Sequence, residues 1–231
     1  MTAASNPAWT RRRVLGLGAA ATAAVALGGC NLDRGSSTDT SAEPEAKGGW
    51  AGTLLDPPFP KPDFTFADFD GNPYPLVEKT KGKLTILFYG YTNCPDVCPI
   101  TLNTLARAKE AIGSGPGSNP LVLFVGVDID RDTPAVLKTY LGNIDPEFIG
   151  LTPMGATKAE KEGEIVDSLA ALKQAAPVIG EPDADGNYAV GHPSAVTVFS
   201  ADDVAHRIYP SDVRQSQWVK DLPRLDQGDF T

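Results

Sequence analysis

The sequence has little with which to hold a metal or staple a fold. Its 231 residues include three cysteines and two histidines. Three cysteines cannot build the bridge network of a small disulfide-stapled domain. Any site that needs imidazole must draw on His192 or His206. Basic residues are also scarce, with 20 Lys and Arg against 29 Asp and Glu, for a net charge of -9. Residues 1–29 hold Arg11, Arg12 and Arg13 and no acid, so the remainder carries 17 basic residues against the same 29 acids. A surface this acidic argues against nucleic acid as a partner and is compatible with a cationic one. No internal repeat is present, and no apolar run reaches the ~20 residues of a spanning helix. What remains, with 42% hydrophobic residues, is ordinary for one globular domain.

The first 49 residues read as addressing rather than fold. Arg11-Arg12-Arg13 precede an apolar stretch from Val14 to Gly29 rich in Ala, Gly, Val and Leu. A basic start and a short apolar region ending in small residues predict an export signal over 1–29, with paired arginines of the twin-arginine type. The end of that stretch, Leu27-Gly28-Gly29-Cys30, is similar to a bacterial lipobox. That similarity implies cleavage before Cys30, lipidation of its thiol and a membrane anchor on the extracytoplasmic face. Residues 30–49, polar and small, read as a flexible tether, and residues 50–231 as the domain itself. Export also places the remaining thiols in an oxidising compartment, where a free pair needs a reductant or a metal.

Within the domain, Trp50 to Pro62 is proline-rich and predicts an irregular edge segment. Asp70-Gly71 after Phe64-Thr65-Phe66 predicts a hairpin. Leu84 to Tyr89 and Leu121 to Ile129 are uniformly apolar and predict strands buried on both faces. Leu102, Leu105, Ala106 and Ile112 recur at helical spacing, so a helix is expected over 97–112. Thr133-Pro134 predicts a capped helix to about Leu141. A short strand near Phe148 and a helix over 157–173 follow. Asp185-Gly186 marks a second hairpin, Ala195–Phe199 and Ala205–Tyr209 read as paired strands, and Ser211 as the cap of a last helix to Leu222 with frayed residues after it. This order describes an α/β domain with a central mixed β-sheet flanked by helices and an N-terminal hairpin extension.

The chemistry-bearing residues gather around the first buried strand. Cys94 follows it directly, Pro95 suits a first helical position, and Cys98 comes one turn later on the same side. Two thiols so placed can bind a soft metal or cycle through a disulfide. Asp128, Asp130 and Asp132 end the neighbouring strand, where they serve equally well as turn and cap residues or as part of a site. His192 precedes the strand at 195–199. If that strand runs antiparallel to the cysteine strand, His192 meets the thiols at one end of the sheet. His206 falls in an exposed strand and reads as structural, and Tyr89 and Tyr91 as packing beside the site.

The run Phe88-Tyr89-Gly90-Tyr91-Thr92-Asn93-Cys94-Pro95-Asp96-Val97-Cys98-Pro99, with Val127 to Pro134 and Gly191-His192, resembles the SCO/SenC copper proteins. The resemblance covers about 55–222. It implies a thioredoxin-like fold and a role in cytochrome c oxidase assembly. Copper, as Cu(I), Cu(II) or both, would be held one per chain by Cys94, Cys98 and His192. It also implies as partners the oxidase's subunit II, with its dinuclear copper site, an extracytoplasmic copper donor and a thiol reductant. Gly191 and Pro193 stand where that family usually has an acid and a Ser or Thr, and Pro193 before a strand is similar to the cis-proline of thioredoxins. The chemistry agrees, since thiolates select Cu(I) and imidazole suits both states. The enzymatic alternative is a thiol–disulfide reductase, with Cys94 attacking and Cys98 resolving. A peroxiredoxin-type peroxidase fits less well, because Thr92 lies two residues before Cys94 where that motif needs three.

Overall fold

A computed structural model describes residues 49–231. The expected export signal, Cys30 and all of the expected tether but Gly49 lie outside the described residues. In chain order the elements are β1 (Thr53–Pro60), β2 (Thr65–Ala67), β3 (Pro73–Pro75), α1 (Leu76–Thr80), β4 (Thr85–Gly90), α2 (Val97–Ile112) and β5 (Leu121–Gly126). There follow α3 (Pro134–Gly142), β6 (Ile149–Leu151), α4 (Lys158–Ala171), β7 (Val178–Ile179), β8 (Val190–Gly191), β9 (Val196–Phe199), β10 (Val204–Tyr209) and α5 (Gln215–Asp226). No helix among the described residues is long and apolar enough to cross a membrane.

Six strands form one mixed sheet in the order β1-β10-β9-β4-β5-β6. β4, β5 and β6 are parallel, while β9 runs antiparallel to β4 and the remaining two strands alternate. All six residues of β4 are buried, which is why the apolar run was legible as a strand covered on both faces. Each large apolar side chain so buried contributes roughly 1.5–3 kcal/mol. The β2–β3 hairpin stands apart and is tied to the end of β6 by the Ala67–Thr152 bridge. The helix cap at Thr133 forms as expected, and Thr157, expected inside a helix, is the N-cap of α4 in a reciprocal box with Glu160.

Four expectations need correction. The proline-rich segment is a strand, β1, on the sheet edge. It pairs through Thr53 and Leu54, then again through Phe59 and Pro60, and its register breaks between them where Pro57 and Pro58 lie. An edge strand can place prolines where no ladder donor is needed. Ser211 does not cap the last helix. Its carbonyl accepts from the Thr101 hydroxyl, and the helix starts four residues later, with the Arg214 N–H donating to the Gln217 side chain. α5 also continues past Leu222 through Pro223. The C-terminal residues are tied down, because the Phe230 carbonyl accepts from the Arg207 guanidinium and its ring stacks on His206 at 3.6 Å.

The register places the chain's way into the domain. Thr53 aligns with Ile208, then Thr197, then Leu87. β1 runs away from the carboxyl end of β4, so Trp50 to Gly52 lie toward that same end. Trp50 is fully buried, its ring lying between the guanidinium of Arg207 at 4.1 Å and that of Arg224 at 3.6 Å.

Candidate metal centre

β4 stops at Gly90 because the next step needs a turn, closed by the Cys94 N–H donating to the Tyr91 carbonyl. Pro95 is not the first helical residue. It precedes the N-cap Asp96, and α2 begins at Val97. The cap position has no side-chain bond of its own. Instead the Cys98 N–H donates to the Cys94 sulfur at 3.4 Å, so the thiol serves a free N–H of the first turn. Burial raises the Cys94 thiol. The N–H groups of Cys98 and Asp96, with the Cys98 thiol and Tyr91 hydroxyl, outweigh it and leave Cys94 below the ordinary range. Cys98 is fully buried, and that burial, together with the nearby Cys94, pushes it well up.

The antiparallel pairing of β9 with β4 brings His192 to the thiols, as the sequence predicted. Its Nε2 lies 3.5 Å from the Cys98 sulfur. Nδ1 lies 2.9 Å from the Pro193 carbonyl, which can only accept, so Nδ1 carries the proton and Nε2 presents its lone pair to the sulfur. Burial lowers the imidazole, which keeps it neutral and ligand-ready. Tyr91 meets the ring edge-on at 5.6 Å. Among the described residues the cis peptide bond is Asp56–Pro57, so the thioredoxin-like cis-proline expected at Pro193 does not occur.

Cys94, Cys98 and His192 thus offer two sulfurs and one nitrogen, all within 4.8 Å of one another. Around one ion at bonds of ~2.0–2.3 Å, three donors stand about 3.5–4 Å apart, so small side-chain adjustments suffice. A Cβ on Gly90 would lie 2.8 Å from the Cys98 sulfur, so the glycine makes room for the buried ligand. His206 is not part of the group, being bonded to Asp202 at 2.7 Å.

The three aspartates separate in role. Asp130 is exposed and pairs with Lys158. Asp132, buried, accepts from the Thr92 N–H at 2.9 Å and hydroxyl at 2.7 Å, and from the Asp128 N–H at 3.1 Å. It therefore holds the loop that carries Cys94. Asp132→Ala is expected to lower stability by about 1–3 kcal/mol, because it leaves buried N–H groups unpaired, as read from the denaturation midpoint. Asp128, also buried, pairs with Arg131 and accepts from the Tyr188 hydroxyl at 2.8 Å. Nothing in local sequence announced Arg131 and Tyr188, because their contact spans 57 residues.

The family profile described as SCO1/SenC matches residues 55–226. The chain belongs to the SCO1/SenC family. An SCO2-like protein of Rickettsia conorii is 33% identical over 139 residues, which are 60% of this chain and 63% of that protein, so the match spans less than two thirds of the relative. Copper-bound ScoI of Bradyrhizobium japonicum superposes with a TM-score of 0.58 at 28% identity, covering 71% of this chain and 98% of that one. Copper-bound ScoI of Arabidopsis thaliana gives a TM-score of 0.63 at 24% identity over 73% and 98% of the two chains. The fold is therefore the family's thioredoxin-like one.

Proposed function

We propose that this SCO1/SenC protein is a membrane-tethered copper carrier for cytochrome c oxidase assembly. It binds one copper ion through Cys94, Cys98 and His192 and hands it to the dinuclear copper site of subunit II. The observation that carries this reading is the convergence of the two sulfurs and Nε2 within 4.8 Å. A Cys–Cys–His set accepts both Cu(I) and Cu(II). The half-buried Cys94 gives an acceptor's thiolate a way in, while buried Cys98 keeps the ion from water. Lipidated Cys30 would hold the domain at the extracytoplasmic face of the cell membrane, within reach of the oxidase, a copper donor and a reductant. The copper-bound state of the related Bradyrhizobium protein supports the choice of metal.

The test uses the full chain, purified from membranes in detergent and reduced, and titrated with Cu(I) and with Cu(II). One ion per chain is expected, with loss of that binding in Cys94→Ser, Cys98→Ser and His192→Ala. Unchanged affinity for both copper states in His192→Ala overturns the three-ligand site. An exported Cys30→Ser chain that stays on the membrane overturns the lipid anchor.

The contrast between the two thiols favours a second reading, a thiol–disulfide reductase. The Cys94 thiolate would attack a substrate disulfide and release one thiolate. Cys98, once deprotonated, would then displace the second substrate sulfur and leave a Cys94–Cys98 disulfide for an external dithiol to reduce. Disulfide reduction without copper binding in the same preparations selects this reading over the first.

A further inference from the structure

The segment that carries His192 has little of its own to hold it. β7 and β8 contribute two residues each to a ribbon separate from the main sheet, paired as Val178–Gly191 and Ile179–Val190. Ribbons this small are not stable alone. Val178 and Ile179 are exposed, so core burial comes through Val190. Residues 193–195 then run outside any strand before β9 begins. The position of His192 must therefore be set by contacts from elsewhere.

Tyr91 and Phe88 meet the imidazole ring itself, and the segment that leads to it is held at one turn. The Tyr188 hydroxyl donates to Asp128 at 2.8 Å. The Arg131 guanidinium lies 3.6 Å over the Tyr188 ring, donates to the Tyr188 carbonyl at 3.1 Å and pairs with Asp128 through Nε. The turn is braced internally, with the N–H groups of Arg131 and Asp132 donating to the Asp128 carbonyl at 3.0 and 2.7 Å. Its far end, Asp132, grips Thr92 by N–H and hydroxyl. Thr92 is two residues before Cys94, and Tyr188 is four before His192. One rigid piece therefore touches both the thiol loop and the histidine ribbon.

We propose that the turn Asp128–Asp132 is a positioning element that fixes the distance of His192 from the two thiols, with Arg131 and Tyr188 as its grip on the histidine side. This rests on the reading of His192 as a copper ligand. Neither residue touches the donors. They act through the ribbon, as outer partners act on metal ligands in general, where their loss costs ~10- to 100-fold in affinity. A guanidinium suits the task because its plane stacks on the ring while its edge bonds carboxylate and carbonyl together.

The test compares Tyr188→Leu with the parent, each with and without His192→Ala, in the full chain in detergent. Expected for Tyr188→Leu are one copper per chain, affinity lower by ~10-fold or more, and weakened nitrogen hyperfine splitting in the Cu(II) resonance spectrum. In the His192→Ala background the same change should cost nothing further. In the metal-free chain, amide exchange at Val190 and Gly191 should quicken while β4 stays protected. Tyr188→Phe, which keeps the stacked ring, should recover most of the affinity; if the leucine variant does not fold, Arg131→Gln, which loses the stack on Tyr188 and the pair with Asp128, carries the same comparison. Equal losses with and without His192, or unchanged affinity and exchange, overturn the proposal. A parent chain that binds no copper overturns the copper reading instead, and exchange at Val190 and Gly191 still decides the positioning claim.

Discussion

Gly90→Val is expected to damage the fold and the donor set together. A Cβ at this position would lie 2.7 Å from Phe124 Cε2 and 2.8 Å from the Cys98 sulfur. Neither neighbour can retreat without cost. Phe124 and Cys98 are fully buried, and Phe124 lies in a strand whose ladder with β4 continues through Gly90 itself. Overpacking a close-packed interior costs about 1–3 kcal/mol and sometimes more. Gly90→Ala should fall in that range and the larger valine above it. Each kcal/mol lowers the melting midpoint by ~2–4 °C for a domain of this size. Copper affinity should fall as well, because one of the two crowded neighbours is the sulfur that sits 3.5 Å from His192 Nε2, and any displacement of it disturbs the donor set. Phe124→Leu on top of Gly90→Ala opens space on the ring side and should return part of the stability. Thermal melts and copper titrations of the three chains decide it, and an alanine variant as stable and as tight as the parent contradicts the packing described.

Trp50→Ala is expected to lower stability by ~3–5 kcal/mol, the usual range for deleting a buried tryptophan. The ring fills space between Arg207 and Arg224, and stacking on a guanidinium adds up to ~2 kcal/mol where water is excluded. Arg207 would remain bonded to the Gly52 and Phe230 carbonyls but would lose its cover. Trp50→Phe is the informative control. The indole N–H is buried and has no partner, so phenylalanine keeps an aromatic face and removes an unsatisfied donor. Its loss should be well below that of alanine. Denaturant unfolding followed by far-ultraviolet circular dichroism tests both, and an alanine variant with a cost below ~1 kcal/mol would show that the packing of Trp50 contributes little to stability.

What could be read from sequence was whatever local pattern determines. β4 and α2 follow from an apolar run and a helical period, and the cap at Thr133 from residue type and the proline after it. His192 was reachable through its place in the family motif and on the condition that its strand runs antiparallel to β4, which it does. β1 was not, because Pro57, Pro58 and Pro60 argue against a strand until its edge position and broken register are known. The start of α5 was misplaced because Ser211 looks like a cap while its carbonyl is engaged by Thr101 in another helix. The roles of Asp128 and Asp132 stayed undecided for a related reason. Their partners, Tyr188 and Thr92, lie 60 and 40 residues away, and no local rule reaches that far.

The chain enters this domain at the end of the sheet where Cys94, Cys98 and His192 meet. Whatever lies upstream of Trp50 is therefore joined on the side of the three donors. The opposite end of the sheet, with Lys81, Gly82 and the β9–β10 turn, is clear of both the entry and the donors. A probe or fused module placed there would leave the thiols and the imidazole as open as they are now.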